Sequence, residues 1–94
     1  MGKFKEIELP ENISILGNEK IYMVICHNDD VHTFDYVIDC LMLHCAHTAE
    51  QAEQCAYLIH LKGKCEVKRG SQTKMRKINE QLSICGLTAT VEEG

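Results

Sequence analysis

The stretch that most constrains the fold is the run Ile21-Tyr22-Met23-Val24-Ile25-Cys26, which leads almost directly into Asn28-Asp29-Asp30. A continuous apolar run of β-branched and aromatic type reads as a strand covered on at least one face. Three short polar side chains then end it, and Thr33 opens a stretch with helical spacing, so the triplet occupies a strand-to-helix turn. Asn and Asp are ordinary turn residues, because their side chains bond nearby backbone and tolerate unusual angles. The same residues also bring a carbonyl oxygen and two carboxylates into one loop, a set of acceptors with no donor among the carboxylates.

The rest of the chain organises around that turn. Phe34, Val37, Ile38, Leu41, Met42 and Cys45 recur at three and four residues, which predicts a helix with one buried stripe. Thr48-Ala49-Glu50-Gln51 fits a capping box, and Ala52, Cys55, Ala56 and Ile59 give the core stripe of a second helix stopped at Gly63. Lys64-Cys65-Glu66-Val67-Lys68 alternates strictly, as a half-buried strand does, and Arg69-Gly70-Ser71 reads as a turn. Ser71 caps a third helix carrying Met75, Ile78, Leu82 and Cys85, with Gly86 as its stop. Leu87, Ala89 and Val91 then alternate with Thr88 and Thr90 in a last strand. The predicted fold is α+β in the order β-α-α-β-α-β, three helices packed on a small three-stranded antiparallel sheet. Residues 1 to about 20 carry Pro10 and Gly17 without sustained periodicity and read as a flexible or loosely docked extension, leaving 21–94 as the core domain.

Ninety-four residues with 45% hydrophobic content suffice for one compact domain. A net charge of -4 argues against a nucleic-acid partner, and the basic cluster Lys68, Arg69, Lys74, Arg76 and Lys77 reads as a solvated face. No stretch approaches the roughly 20 apolar residues of a membrane span, and the first residues lack an apolar secretion core. A cytoplasmic protein is therefore expected, and its six cysteines are expected to be free thiols, with Cys26, Cys45, Cys55, Cys65 and Cys85 on apolar phases as small buried hydrophobes.

A site that recognises a free α-amino terminus must offer acceptors and negative charge beside an apolar pocket. Asn28, Asp29 and Asp30 supply oxygens, and a neutral His60 supplies a ring nitrogen. Taken together, Asn28-Asp29-Asp30, Phe34-Asp35-Tyr36-Val37-Ile38-Asp39 and His60-Leu61-Lys62-Gly63-Lys64, in this order and spacing, resemble the ClpS family. Those adaptors read destabilising N-terminal residues of substrates and hand them to an AAA+ unfoldase and protease. The resemblance spans about residues 21 to 67 and continues weakly through the last strand. It implies that Asn28, Asp30 and His60 hold the α-amino group, with Asp29 as an auxiliary acceptor. It also implies a side-chain pocket lined by Val31, His32, Phe34, Val37, Ala56, Ile59 and Leu87. The implied partners are N-degron substrates and a Clp-type unfoldase of the ClpA or ClpC type, engaged by a monomer that is not an enzyme and needs no cofactor.

The chain departs from the family's pattern in places. His32 stands where Thr is common, Phe34 where many members have Met, and Ala56 where a further Met is usual, so a larger gate faces a smaller wall. The family's surface toward the unfoldase is replaced by Gln72-Thr73-Lys74-Met75-Arg76-Lys77. Other readings stand beside this one. Cys40, His44 and His47 lie along one edge of the first predicted helix and would suit zinc, although a structural site needs four converging ligands. Cys26-His27 could suggest a catalytic pair, but consecutive strand residues point to opposite faces. A plain interaction domain similar to the C-terminal domain of the ribosomal stalk protein would share the fold and leave the Asn, Asp and His set without a role.

Overall fold

The computed structural model describes residues 20–94. The elements follow in the order β1 (Tyr22–His27), α1 (Phe34–Cys45), α2 (Ala49–Lys62), β2 (Lys64–Gly70), α3 (Gln72–Ile84) and β3 (Thr88–Glu93). The α+β order read from the sequence is the order of the fold. The extension before residue 20 lies outside the described residues.

Each helix begins where a hydroxyl can satisfy its open amides. Thr33 Oγ1 accepts from the Tyr36 amide, Ser71 Oγ accepts from the Lys74 amide, and Thr48 and Gln51 form a reciprocal capping box. Helix α2 ends at Gly63, whose left-handed backbone (φ 93°) suits a residue without Cβ. At the corner between α1 and α2, Lys68 Nζ donates to the Cys45 carbonyl at 2.9 Å, and the His47 ring donates to the Val67 carbonyl at 2.7 Å. These two bonds stitch the short connection onto β2.

The sheet is antiparallel with β1 in the centre and β2 and β3 at its edges. Its register shifts once. Val24 faces Lys68 whereas Ile25 faces Glu66, so Val67 is the extra residue of a bulge on β2. That bulge corrects two expectations. Strict alternation fails after Val67, and the strand runs on through Arg69 to Gly70 because Met23 and Tyr22 continue to pair with them.

Val24 and Cys26, on one face of β1, join Cys40, Leu41, Cys45, Ala52, Ile59, Val67, Met75, Ile78, Leu82 and Leu87 in the core. Helix α1 packs against both α2 and α3, so its buried face is wider than one stripe. Cys40, placed by its spacing on an outer edge, is consequently buried. Phe34 and Met42, placed in the stripe, are instead partly open to solvent at 39% and 40%.

Candidate functional site

The polar turn after β1 is fixed from both ends. The Asn28 amide donates to the Gly63 carbonyl at 2.8 Å, which joins the exit of β1 to the exit of α2. Thr33 then starts α1. Between these anchors the Asp29 carboxylate folds the turn on itself: Oδ1 accepts from the amides of Val31 at 2.8 Å and His32 at 2.9 Å. Oδ2 lies 3.1 Å from His32 Nδ1. The His32 amide, more than any other neighbour, holds the Asp29 carboxyl below its ordinary value, against the opposing effect of burial.

Because β1 and α2 end side by side, the turn lies against the last helical residues of α2. The result is a cleft of about 530 Å³ lined by Asn28, Asp29, Asp30, His32, Phe34, Val37, Ala56, Ile59 and His60. Its two chemistries separate by depth. Ala56 and Ile59 are buried and Val37 is half-buried, whereas Asn28, Asp30 and His60 are exposed. Among the described residues, the side chains of Asn28, Asp30 and His60 have no hydrogen-bond partner. Acceptors without an internal partner, beside an apolar hollow, can take a donor-rich cation whose attached side chain is apolar.

Nine of the residues expected at the site from the sequence converge on this cleft, and two do not. Val31 points away, 81% exposed, because the Asx-type turn closed by Asp29 turns its side chain outward. Leu87 is 5% exposed and belongs to the main core, where it follows the turn at Gly86 into β3. Asp29 lines the cleft, with its carboxylate also engaged within the turn by the Val31 and His32 amides. Tyr36 was missed. Its ring stacks on His32 with centroids 4.9 Å apart and planes 16° from parallel, and its hydroxyl donates to the Cys85 carbonyl. The i to i+4 spacing of two rings across a helix start was the available signal.

The rival chemistries lack geometry. Cys26 is buried, its thiol pushed up to about 12 by burial, while the His27 ring bonds Thr90 Oγ1 at 2.9 Å. The two do not form a nucleophile and base. Cys40 is turned inward and His47 toward the Val67 carbonyl, and among the described residues no three His, Cys, Asp or Glu side chains converge for a metal. No helix of the described residues is long and apolar enough to cross a membrane.

The family model for the ATP-dependent Clp protease adaptor protein ClpS matches residues 17–90 of this sequence. The chain belongs to the ClpS family. The ATP-dependent Clp protease adapter protein ClpS of Thermosynechococcus vestitus (strain NIES-2133 / IAM M-273 / BP-1) is 37% identical over 68 residues, covering 71% of this chain and 72% of that protein. Among solved structures, Agrobacterium tumefaciens ClpS2 bound to L-phenylalaninamide superposes with a TM-score of 0.79. It shares 18% identity and covers 82% of this chain and all of that one, a likeness of fold. Membership in ClpS makes the chain an adaptor of Clp protease, in a family whose members are not themselves the protease.

Proposed function

We propose that this ClpS-family domain binds substrates through a free α-amino group and a bulky apolar first side chain, and delivers them to a Clp-type AAA+ unfoldase. The observation that carries this reading is the cleft itself. Exposed acceptors on Asn28, Asp30 and His60 stand at the mouth of a hollow whose deeper lining is Val37, Ala56 and Ile59. An ammonium brings three donors and a positive charge to such a mouth, and Asp30 adds the opposite charge. Burying a Leu or Phe side chain in the hollow is worth about 1.5 to 3 kcal/mol.

The volume of about 530 Å³ lies within the roughly 300 to 1,000 Å³ of small-ligand pockets. Ala56 at 2% exposure leaves depth where a longer side chain would fill it, and Phe34 at the rim offers a ring to stack on. The ligand of the Agrobacterium neighbour, L-phenylalaninamide, combines a free amine with a benzyl group, the same pairing of features. Titration with short peptides differing only in their first residue tests the reading. Phe and Leu in first place should bind, and Ala should bind at least about tenfold more weakly, following the apolar area lost. Equal affinity across the series would refute the side-chain pocket.

A further inference from the structure

The His32 side chain meets three neighbours around the turn, Asp29, Tyr36 and Gly86. Its Nδ1 lies 3.1 Å from Asp29 Oδ2 and 3.3 Å from Oδ1. An ionised carboxylate only accepts, so Nδ1 is the donor of that bond. One ring face stacks on Tyr36, and the Tyr36 hydroxyl reaches across to the Cys85 carbonyl at the end of α3. Gly86 lies beside the Nε2 edge of the ring. A Cβ added there would stand 3.0 Å from His32 Nε2 and 3.2 Å from Cε1, so the imidazole fits because position 86 carries no side chain. The backbone at Gly86 (φ 95°) also favours glycine.

This clamp connects three elements to one short loop. Through Asp29 it reaches the backbone of residues 29–32, through Tyr36 it reaches α1, and through Cys85 and Gly86 it reaches the corner between α3 and β3. The neighbouring side chains of Asn28 and Asp30 have no hydrogen-bond partner of their own among the described residues, so their placement depends on the loop backbone that carries them. Acceptors held in place before the ligand arrives bind more tightly, because the ordering cost is not taken from the binding free energy. His32 itself is a poor direct ligand for an amine: its donor nitrogen is engaged by Asp29 and its other nitrogen is packed against Gly86.

We propose that His32 is a positioning residue of the amine-binding site, fixing the Asn28–Asp30 turn through Asp29 and anchoring it to α1 through Tyr36. This inference rests on the reading of the cleft as an α-amine site. It assigns different duties to two features of one ring. The Nδ1 donor shapes the turn, and the ring face ties the turn to the helix.

Two substitutions separate these duties. His32→Asn places an amide donor where Nδ1 stands and gives up the stack, whereas His32→Phe keeps the stack and gives up the donor. The measurement is the affinity of a Phe-first peptide with a free amine and of its acetylated form, alongside the folding midpoint. His32→Phe should lower the free-amine affinity about 10- to 150-fold, the scale of one charge-assisted hydrogen bond, and leave the acetylated peptide unchanged. His32→Asn should stay within about threefold of the unsubstituted protein in the same comparison. Asn28→Ala should cost less in the His32→Phe background than alone, since the two act on one interaction. A merely structural role would lower the midpoint and leave the free-to-acetylated ratio and the additivity untouched, and that result overturns the proposal. Should His32→Phe fail to fold, His32→Leu removes the same donor with a smaller side chain, with a fall in the same ratio expected and an unchanged ratio again overturning it. An unsubstituted protein that does not distinguish the two peptides would instead refute the amine-site reading, and with it this role for His32.

Discussion

The Asn28 amide and the Gly63 carbonyl meet at 2.8 Å, and this single backbone bond brings two separate parts of the sequence to one cleft. Asn28 follows the last residue of β1, and Gly63 follows the last residue of α2, one helical turn beyond His60. Gly63 can present that carbonyl because its left-handed backbone ends the helix while its own amide still bonds the Ile59 carbonyl at 2.9 Å. Gly63→Ala meets open space, so the change acts through backbone strain alone. The expected loss is about 1 to 2 kcal/mol of folding stability, read from urea unfolding. A variant as stable as the unsubstituted protein would show that the left-handed turn is not a constraint.

Asn28→Ala and His60→Ala should each weaken binding of a Phe-first peptide by about 1 to 3 kcal/mol, roughly 5- to 150-fold. Both side chains are exposed and make no hydrogen bond among the described residues, so thermal unfolding midpoints should hardly move. Loss of folding in both variants, seen by circular dichroism, would make these residues structural.

Asp29 gives the fold an acid-sensitive component. Its carboxyl is held below the ordinary value, first by the His32 amide, so the folded state binds that proton less readily than the unfolded chain does. A depressed carboxyl contributes stability in full above the unfolded value, about 3.9, and the contribution is lost as pH falls through the lower folded value. Glu66, lowered by Arg69, acts in the same direction. Urea midpoints measured from pH 6 down to pH 2 should therefore fall, and Asp29→Asn should flatten part of that fall. An identical slope in the variant would remove Asp29 from the account of acid unfolding.

Burial holds the thiols of Cys26 and Cys55 up at about 12 and those of Cys40 and Cys45 at about 11. The thiolate is the reactive form, so these cysteines should alkylate slowly in native protein at pH 7.5 and rapidly in urea. Mass spectrometry of iodoacetamide-treated protein resolves the sites. Native labelling of Cys26 or Cys45 at the denatured rate would contradict the packing described for the core.

Much of this was legible in the chain. Caps depend on a hydroxyl and the amides three residues on, so Thr33, Thr48 and Ser71 announce their helices locally. The cleft residues Asn28, Asp30, His32, Phe34, Val37, Ala56, Ile59 and His60 were named through the resemblance to the ClpS family, and the fold brings them to one cleft. What escaped depends on contacts between distant segments. The bulge at Val67 follows from pairing with Val24 and Ile25, and no local feature marks it. Cys40 is buried because α3 covers a second side of α1, and Leu87 is drawn into the core rather than the cleft. The engagement of Asp29 by His32 needs the folded turn, in which two amides and a ring nitrogen meet one carboxylate.

One pair of peptides tests whether Asn28, Asp30 and His60 receive a free α-amine. Isothermal titration of a Phe-first peptide and its N-acetylated twin, identical in every other atom, isolates the charge and donors of the amine. Acetylation removes the charge and two donors, leaving acceptors unpaired at about 1 to 3 kcal/mol each. The free peptide should bind and the acetylated one should bind at least about tenfold more weakly. Equal affinity for the two would show that Asn28, Asp30 and His60 do not receive the amine.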